Sequence, residues 1–174
     1  MKKSTLLFVA FTFFFLSACN QKGNQKEELI SFSTAEEYNN YIVDLQLETI
    51  KSIMMFSDAC AEGVPQQMEF TYQDFQSQAV LSFEKIKKLG DFNGSTELRD
   101  AAIDLFGFYV EISQNEYKQI LDILLKREYS EQDDIIVDSL ITIVGEKEET
   151  HDSAFENAQE KFALDNELQM VKSN

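Results

Sequence analysis

The chain contains one histidine, His151, within Glu148-Glu149-Thr150-His151. A Glu-x-x-His spacing puts both side chains on one side of a helix, the pairing by which di-iron helical bundles hold their metals. Such a centre needs two of these motifs and carboxylates from two further helices. One histidine cannot supply that within a subunit, so no metal ligation is expected, and the motif reads as an acidic helical turn at the edge of a core. Lys147 and His151 fall near the phase of the neighbouring apolar residues, where a polar layer could fix helix register or form a wet boundary. Cys60 is the only cysteine besides Cys19; it reads as a small buried side chain near a helix end. Ser-His-Asp and Cys-His neighbours are lacking, as is a glycine-rich phosphate loop. No catalytic residue, cofactor or enzymatic activity is expected. Arg99-Asp100 and Asn115-Glu116-Tyr117 are accounted for most plainly by hydrogen bonds within or between helices. The sharper reading makes Tyr109, Glu116 and Tyr117 a candidate surface for a ligand or partner.

Cys19 stands in a different setting. Met1-Lys2-Lys3 is a short basic segment, and Leu6 to Leu16 is an apolar run of 11 residues. A helix crossing a bilayer needs roughly 20, whereas this length suits the core of a secretory signal. Ser17 and Ala18 are small, and Leu16-Ser17-Ala18-Cys19 resembles the lipobox of bacterial lipoproteins. The resemblance implies a signal peptide over residues 1–18, cleavage after Ala18, and a diacylglyceryl group on the Cys19 thiol. A thiol is required there because it must attack the lipid donor, and two or more acyl chains give stable anchoring. Asn20 is not the aspartate associated with inner-membrane retention, so the outer membrane is the expected location, facing the periplasm or the cell exterior. Gln25-Lys26-Glu27-Glu28 loosely resembles a lysine-plus-acidic surface-export signal; a solvated linker accounts for it equally simply. Residues 19–33 are expected to form a lipidated tether.

Loss of the first 18 residues leaves 13 basic against 31 acidic side chains, a balance of about −18. Such a surface repels phosphates and anionic headgroups, so nucleic acid is not an expected partner and membrane attachment falls to the lipid on Cys19. One proline and six glycines suit long helices and argue against a many-stranded sheet. Thr34-Ala35-Glu36-Glu37 reads as a capping box, followed by Tyr38, Tyr41, Ile42, Leu45, Ile53 and Phe56 at helical spacing, with a stop at Gly63-Val64-Pro65. A second helix begins after Pro65 or at Thr71-x-x-Asp74, with Tyr72, Phe75, Ala79, Phe83 and Ile86 inside. Gly90 to Gly94 make a turn under which Phe92 tucks. A long third helix from Ser95 or Thr96 to about Arg127 carries Leu98, Ala102, Leu105, Tyr109, Ile112, Ile120 and Leu124. Ser130-Glu131-Gln132-Asp133 caps a fourth. Its stripe is Ile136, Leu140, Ile143, Val144, Ala154, Phe155, Ala158 and Phe162, and Gly145 is a soft point. These elements predict an all-α domain, a four-helix antiparallel up-down bundle over residues 34–172.

Several stretches resemble the leptospiral-type surface protein family of small bacterial lipoproteins. They are Glu37-Tyr38-Asn39, Tyr41-Ile42-Val43, Phe92 with Gly94, Leu98-Arg99-Asp100-Ala101-Ala102, Phe106 with Phe108-Tyr109, and Asn115-Glu116-Tyr117. Glu146-Lys147-Glu148, Phe155, Ala158-Gln159 and Phe162-Ala163 complete the pattern, which covers most of residues 36–168 and leaves out the region around Pro65. The resemblance implies a helical lipoprotein of the envelope surface, with no biochemical activity to carry over. The expected partners are the membrane, through Cys19, and an envelope protein or glycan. The alternative is a small-ligand or metal carrier with a site between helices.

Overall fold

A computed structural model describes residues 29–168. The expected signal peptide, Ala18, Cys19, most of the tether and the end of the domain at residue 172 lie outside the described residues. Thr34 caps α1 (Ala35–Glu62), its hydroxyl accepting from the Glu37 N–H at 3.2 Å. Tyr38, Ile42, Leu45 and Phe56 are buried along it. Gly63 ends the helix in the left-handed region (φ 70°), and its N–H donates to the carbonyls of Ala59 and Cys60; glycine meets that conformation without steric cost. Pro65 opens α2 (Pro65–Lys87) at its first position, where the missing N–H costs nothing. The alternative start at Thr71 is wrong: Thr71 lies inside the helix and its hydroxyl donates back to the Gln67 carbonyl at 2.8 Å. Between α1 and α2 the buried side chains include Thr49, Ser52, Ala79 and Ser82. The Thr49 hydroxyl donates to the Leu45 carbonyl and lies 3.1 Å from the Ser82 hydroxyl, so small polar groups are satisfied where the helices pack.

The expected long third helix is two helices, α3 (Glu97–Gln114) and α4 (Glu116–Leu124). Asn115 breaks it with φ −109° and ψ −84°. The Tyr72 hydroxyl, reaching across from α2, donates to the Ser113 carbonyl at 2.8 Å. That carbonyl is the one to which the Tyr117 N–H would bond in an unbroken helix, and insertion of a side chain into the ladder is a recognised cause of a kink. The redirected α4 brings Leu121 against Phe56, Ala59, Met68 and Tyr72, and Ile120 and Ile123 against Leu140. Helix α5 (Glu131–Asp165) follows with a full capping box, Ser130 and Asp133 each satisfying the other's N–H. Leu140, Val144, Phe155, Ala158 and Phe162 face inward as expected. Ile136, Ile143 and Ala154 do not; they sit on the flanks of that stripe and are exposed. Helix α5 continues through Gly145 without interruption.

The architecture is an all-α up-down bundle of four rods, the third of them broken. Helix α1 packs along α2, α2 along α3, and α3 and α4 along α5. One end of the bundle gathers the start of α1, the end of α2, the start of α3 and the end of α5, around Tyr38, Leu89, Phe92, Leu98 and Phe162. The expected tether ends sooner than residue 33. Ile30 is fastened to the α2–α3 corner by two backbone bonds, its N–H to the Lys88 carbonyl and the Gly90 N–H to its own carbonyl, both 2.8 Å. The Tyr38 hydroxyl donates to the Gly90 carbonyl at 3.0 Å, and Phe32 packs on Tyr38 and Tyr41. A Cβ on Gly90 would stand 3.2 Å from the Ile30 carbonyl oxygen, so the close approach needs glycine. No described helix is long and apolar enough to cross a membrane.

Candidate functional site

Eleven positions separate Val144 from Phe155, the two buried apolar residues of α5 that flank its middle. Three turns of helix must fill that gap, and the residues that turn inward there are Lys147, Glu148, His151 and Asp152, all half-buried. Opposite them stand Asp104, Phe108, Tyr109 and Glu111 of α3 and Glu116 and Tyr117 of α4. The result is a polar layer through the apolar core, and it is the region richest in chemical possibility.

The layer is arranged in tiers. Lys147 Nζ bridges Glu111 Oε1 and Glu116 Oε1, 2.8 Å from each. Both carboxylates hold the ammonium above the ordinary lysine range, Glu111 first. Glu116 is buried, and its second oxygen, Oε2, has no hydrogen-bond partner among the described residues. On the neighbouring side of α5, Glu148 and Asp152 are both held above the usual carboxyl range. Burial is the first cause for each, followed by the charge of Asp152 on Glu148 and of Glu156 on Asp152. Tyr109, fully buried, lies among them: burial raises its phenol well above the ordinary range, the Gln46 side chain acts against this, and Asp152 and Glu148 add to it. Among the described residues nothing completes a hydrogen bond to Asp152 Oδ1, while the Gln46 side chain stands at the Tyr109 hydroxyl without a well-formed bond. One turn on from Lys147, His151 Nδ1 is 2.9 Å from Asp104 Oδ2, and the imidazole stacks on Phe108 at 4.6 Å.

Tyr109, Glu116 and Tyr117 therefore do not form an exposed contact surface. Tyr109 and Glu116 are buried, and Tyr117 packs edge-on against Phe56 and Phe75 while touching all three apolar clusters of the molecule. Burial lifts its phenol to about 12, with Glu148 as the second cause. The reason is phase: 109, 112, 113, 116 and 120 continue one inward-facing row across the break. Glu148 and His151 of the Glu-x-x-His pair part company. The histidine turns to Asp104, and the glutamate lies within the field of Tyr109 and Tyr117. Among the described residues no set of three or more His, Cys, Asp and Glu side chains converges as a metal centre would. Arg99 binds its neighbour Asp100 through two nitrogens, at 3.1 and 2.9 Å, outside the layer. Burial raises the Cys60 thiol to about 11, which keeps it protonated and unreactive at neutral pH. Asp152 and Gln46 escape a reading for apolar periodicity because they are polar residues at inward positions; the legible signal is the gap in the stripe between Val144 and Phe155.

A cleft of about 260 Å³ lies apart from this layer, between the start of α3 and the end of α5. Phe92 and Phe162 line it beside Lys161, whose ammonium is already held by Glu97 and Asp165. No family model matches the chain, and neither a curated protein nor a solved structure does.

Proposed function

We propose that this protein is a lipid-anchored lipoprotein of the bacterial envelope, held at the outer membrane by lipid on Cys19, that offers its helical body to a protein or glycan partner and performs no catalysis. The observation that carries the proposal is the order of segments at the N-terminus: Lys2-Lys3, the apolar run 6–16, then Leu16-Ser17-Ala18-Cys19. The fold is compatible with it. The chain enters the bundle at the end where Ile30 is fastened, and the Gly63 turn lies at the other end of a helix of 28 residues. At 1.5 Å per residue that is about 42 Å away, so the distal end would stand clear of the bilayer.

The test is fatty-acid labelling with membrane fractionation of the wild type and of Cys19→Ala. Label in the wild-type protein and release of the variant from membranes are the expected results. An unlabelled wild type, or a variant that fractionates as before, overturns the anchoring. Cleavage by protease added to intact cells would support surface display, and cleavage only after lysis would remove it.

The carrier reading has one observation in its favour: Glu116 Oε2 and Asp152 Oδ1 are buried inside the bundle with no hydrogen-bond partner among the described residues. Buried polar groups normally have partners, and a bound water or small ligand would supply them. A stoichiometric metal or small molecule in native mass spectra of the purified protein would favour this reading.

A further inference from the structure

Helices α1 and α5 run antiparallel, and their direct contacts among the described residues include a pair at one end, where Tyr38 stacks on Phe162 and Gln159 donates to Asn39 at 2.9 Å. Farther on they are not packed side by side; α5 leans on α3 and α4 instead. Helical spacing shows what each turns toward this seam. From Gln159 the same side of α5 continues through Asp152, Glu148, Gly145 and Ile141, and from Asn39 the same side of α1 continues through Val43, Gln46, Ile50 and Met54. Leu47 flanks the second row.

These rows are incompletely covered. Leu47, Met54 and Ile141 are 58%, 60% and 55% exposed, and a Cβ on Gly145 would meet open space. Between these rows Tyr109 is fully buried with the Gln46 side chain at its hydroxyl, and Glu148 and Asp152 lie half-buried beside it. The seam thus has exposed apolar side chains at Leu47, Met54 and Ile141 and, farther along α5, the two half-buried carboxylates of Glu148 and Asp152. Its occupant must bring both an apolar face and positive charge. A second copy of this chain, at a net charge of −16, brings the wrong sign.

We propose that the seam between α1 and α5 is a docking groove for a basic amphipathic helix of a partner protein. The apolar face of that helix lies on the walls formed by Leu47, Met54 and Ile141, and a lysine or arginine reaches the carboxylates of Glu148 and Asp152. A helix laid in an apolar groove is a recurrent mode of recognition, and flexible methionine suits such a wall. This inference deepens the partner-binding part of the proposed function and needs no lipid on Cys19, so unlabelled Cys19 would overturn the anchoring and leave the groove standing.

The probe is a fluorescent Leu/Lys amphipathic peptide of about 18 residues, roughly 27 Å as a helix, titrated against the full chain in nonionic detergent at physiological ionic strength. A peptide with glutamate in place of lysine serves as its counterpart. Saturable binding of the basic peptide alone is expected. Leu47→Arg and Ile141→Arg should each weaken it at least about tenfold, the loss of about 1.4 kcal/mol of binding free energy. Leu81→Arg makes the same change of charge at an exposed position of α2 and should alter binding less than about twofold. Equal weakening by all three variants would mean general attraction to an acidic protein and would overturn the groove, as would no effect of Leu47→Arg and Ile141→Arg. A concentration-dependent dimer of the wild type that Leu47→Arg dissolves would also overturn it, in favour of self-association.

Discussion

Tyr72 contributes its ring to the apolar cluster at the distal end and its hydroxyl to a carbonyl in another helix. Removing only the hydroxyl leaves the Ser113 carbonyl short of a partner in a buried setting. Tyr72→Phe is expected to cost about 1–2 kcal/mol, read as a lower urea midpoint at unchanged m-value. A helical ladder that heals across Asn115 would reduce that cost and would show as protection of the Tyr117 amide in hydrogen exchange. Asp152 supplies a prediction of opposite sign. Its carboxyl is raised by burial first and Glu156 second, with His151 acting the other way. A raised carboxyl binds its proton more tightly folded than unfolded, so stability grows as pH falls through the folded value toward the unfolded one. At neutral pH the ionised group costs stability. Asp152→Asn should therefore melt higher than the wild type at pH 7, and the difference should shrink as pH falls and close below about pH 4, where the wild-type carboxyl is protonated in both states. Neither role was legible in the sequence. Tyr72 and Tyr109 both appear there as members of apolar stripes, and nothing in the local pattern says that one hydroxyl meets a backbone carbonyl of another helix while the other meets the Gln46 side chain.

The helices themselves were far easier to read than their interruptions. Thr34, Gly63, Pro65 and Ser130 act at the ends of elements through local chemistry, and local chemistry is what a sequence displays. The break at Asn115 depends on a tyrosine 43 positions away, so the row from Leu98 to Leu124 looks continuous until α2 is placed beside it. The flank positions Ile136 and Ile143 failed for a related reason: β-branched apolar residues next to a stripe look like part of it until the partner helix defines its width. Gly145 offers a test at this scale. It has helical neighbours on both sides and open space where a Cβ would go. Gly145→Ala should stabilise the fold by about 0.5–1 kcal/mol, measured by chemical denaturation. No gain would mean that the glycine's backbone is strained there.

Across the whole molecule, one apolar cluster runs from Tyr38 and Phe162 past the polar layer to Ile112 and Val144, and two smaller clusters organised by α4 close the other end. The N-terminal segment joins the first of these. Ile30→Pro removes the N–H that reaches Lys88 and should free residues 29–33, seen as faster proteolysis before Thr34 with α1 itself intact. Unchanged cleavage would mean that Phe32 alone keeps the segment in place. Ile30 lies parallel to Leu89, held by one bond on each side of the bridge. A pull along the chain from residue 29 therefore loads both bonds in shear, together, rather than peeling them one after the other. Traction is shared with the corner after α2 before it reaches the first turn of α1. A helix tugged at its own terminus frays turn by turn, whereas this arrangement spreads mechanical load into two helices and lets the body move as one piece when its N-terminal segment is drawn taut.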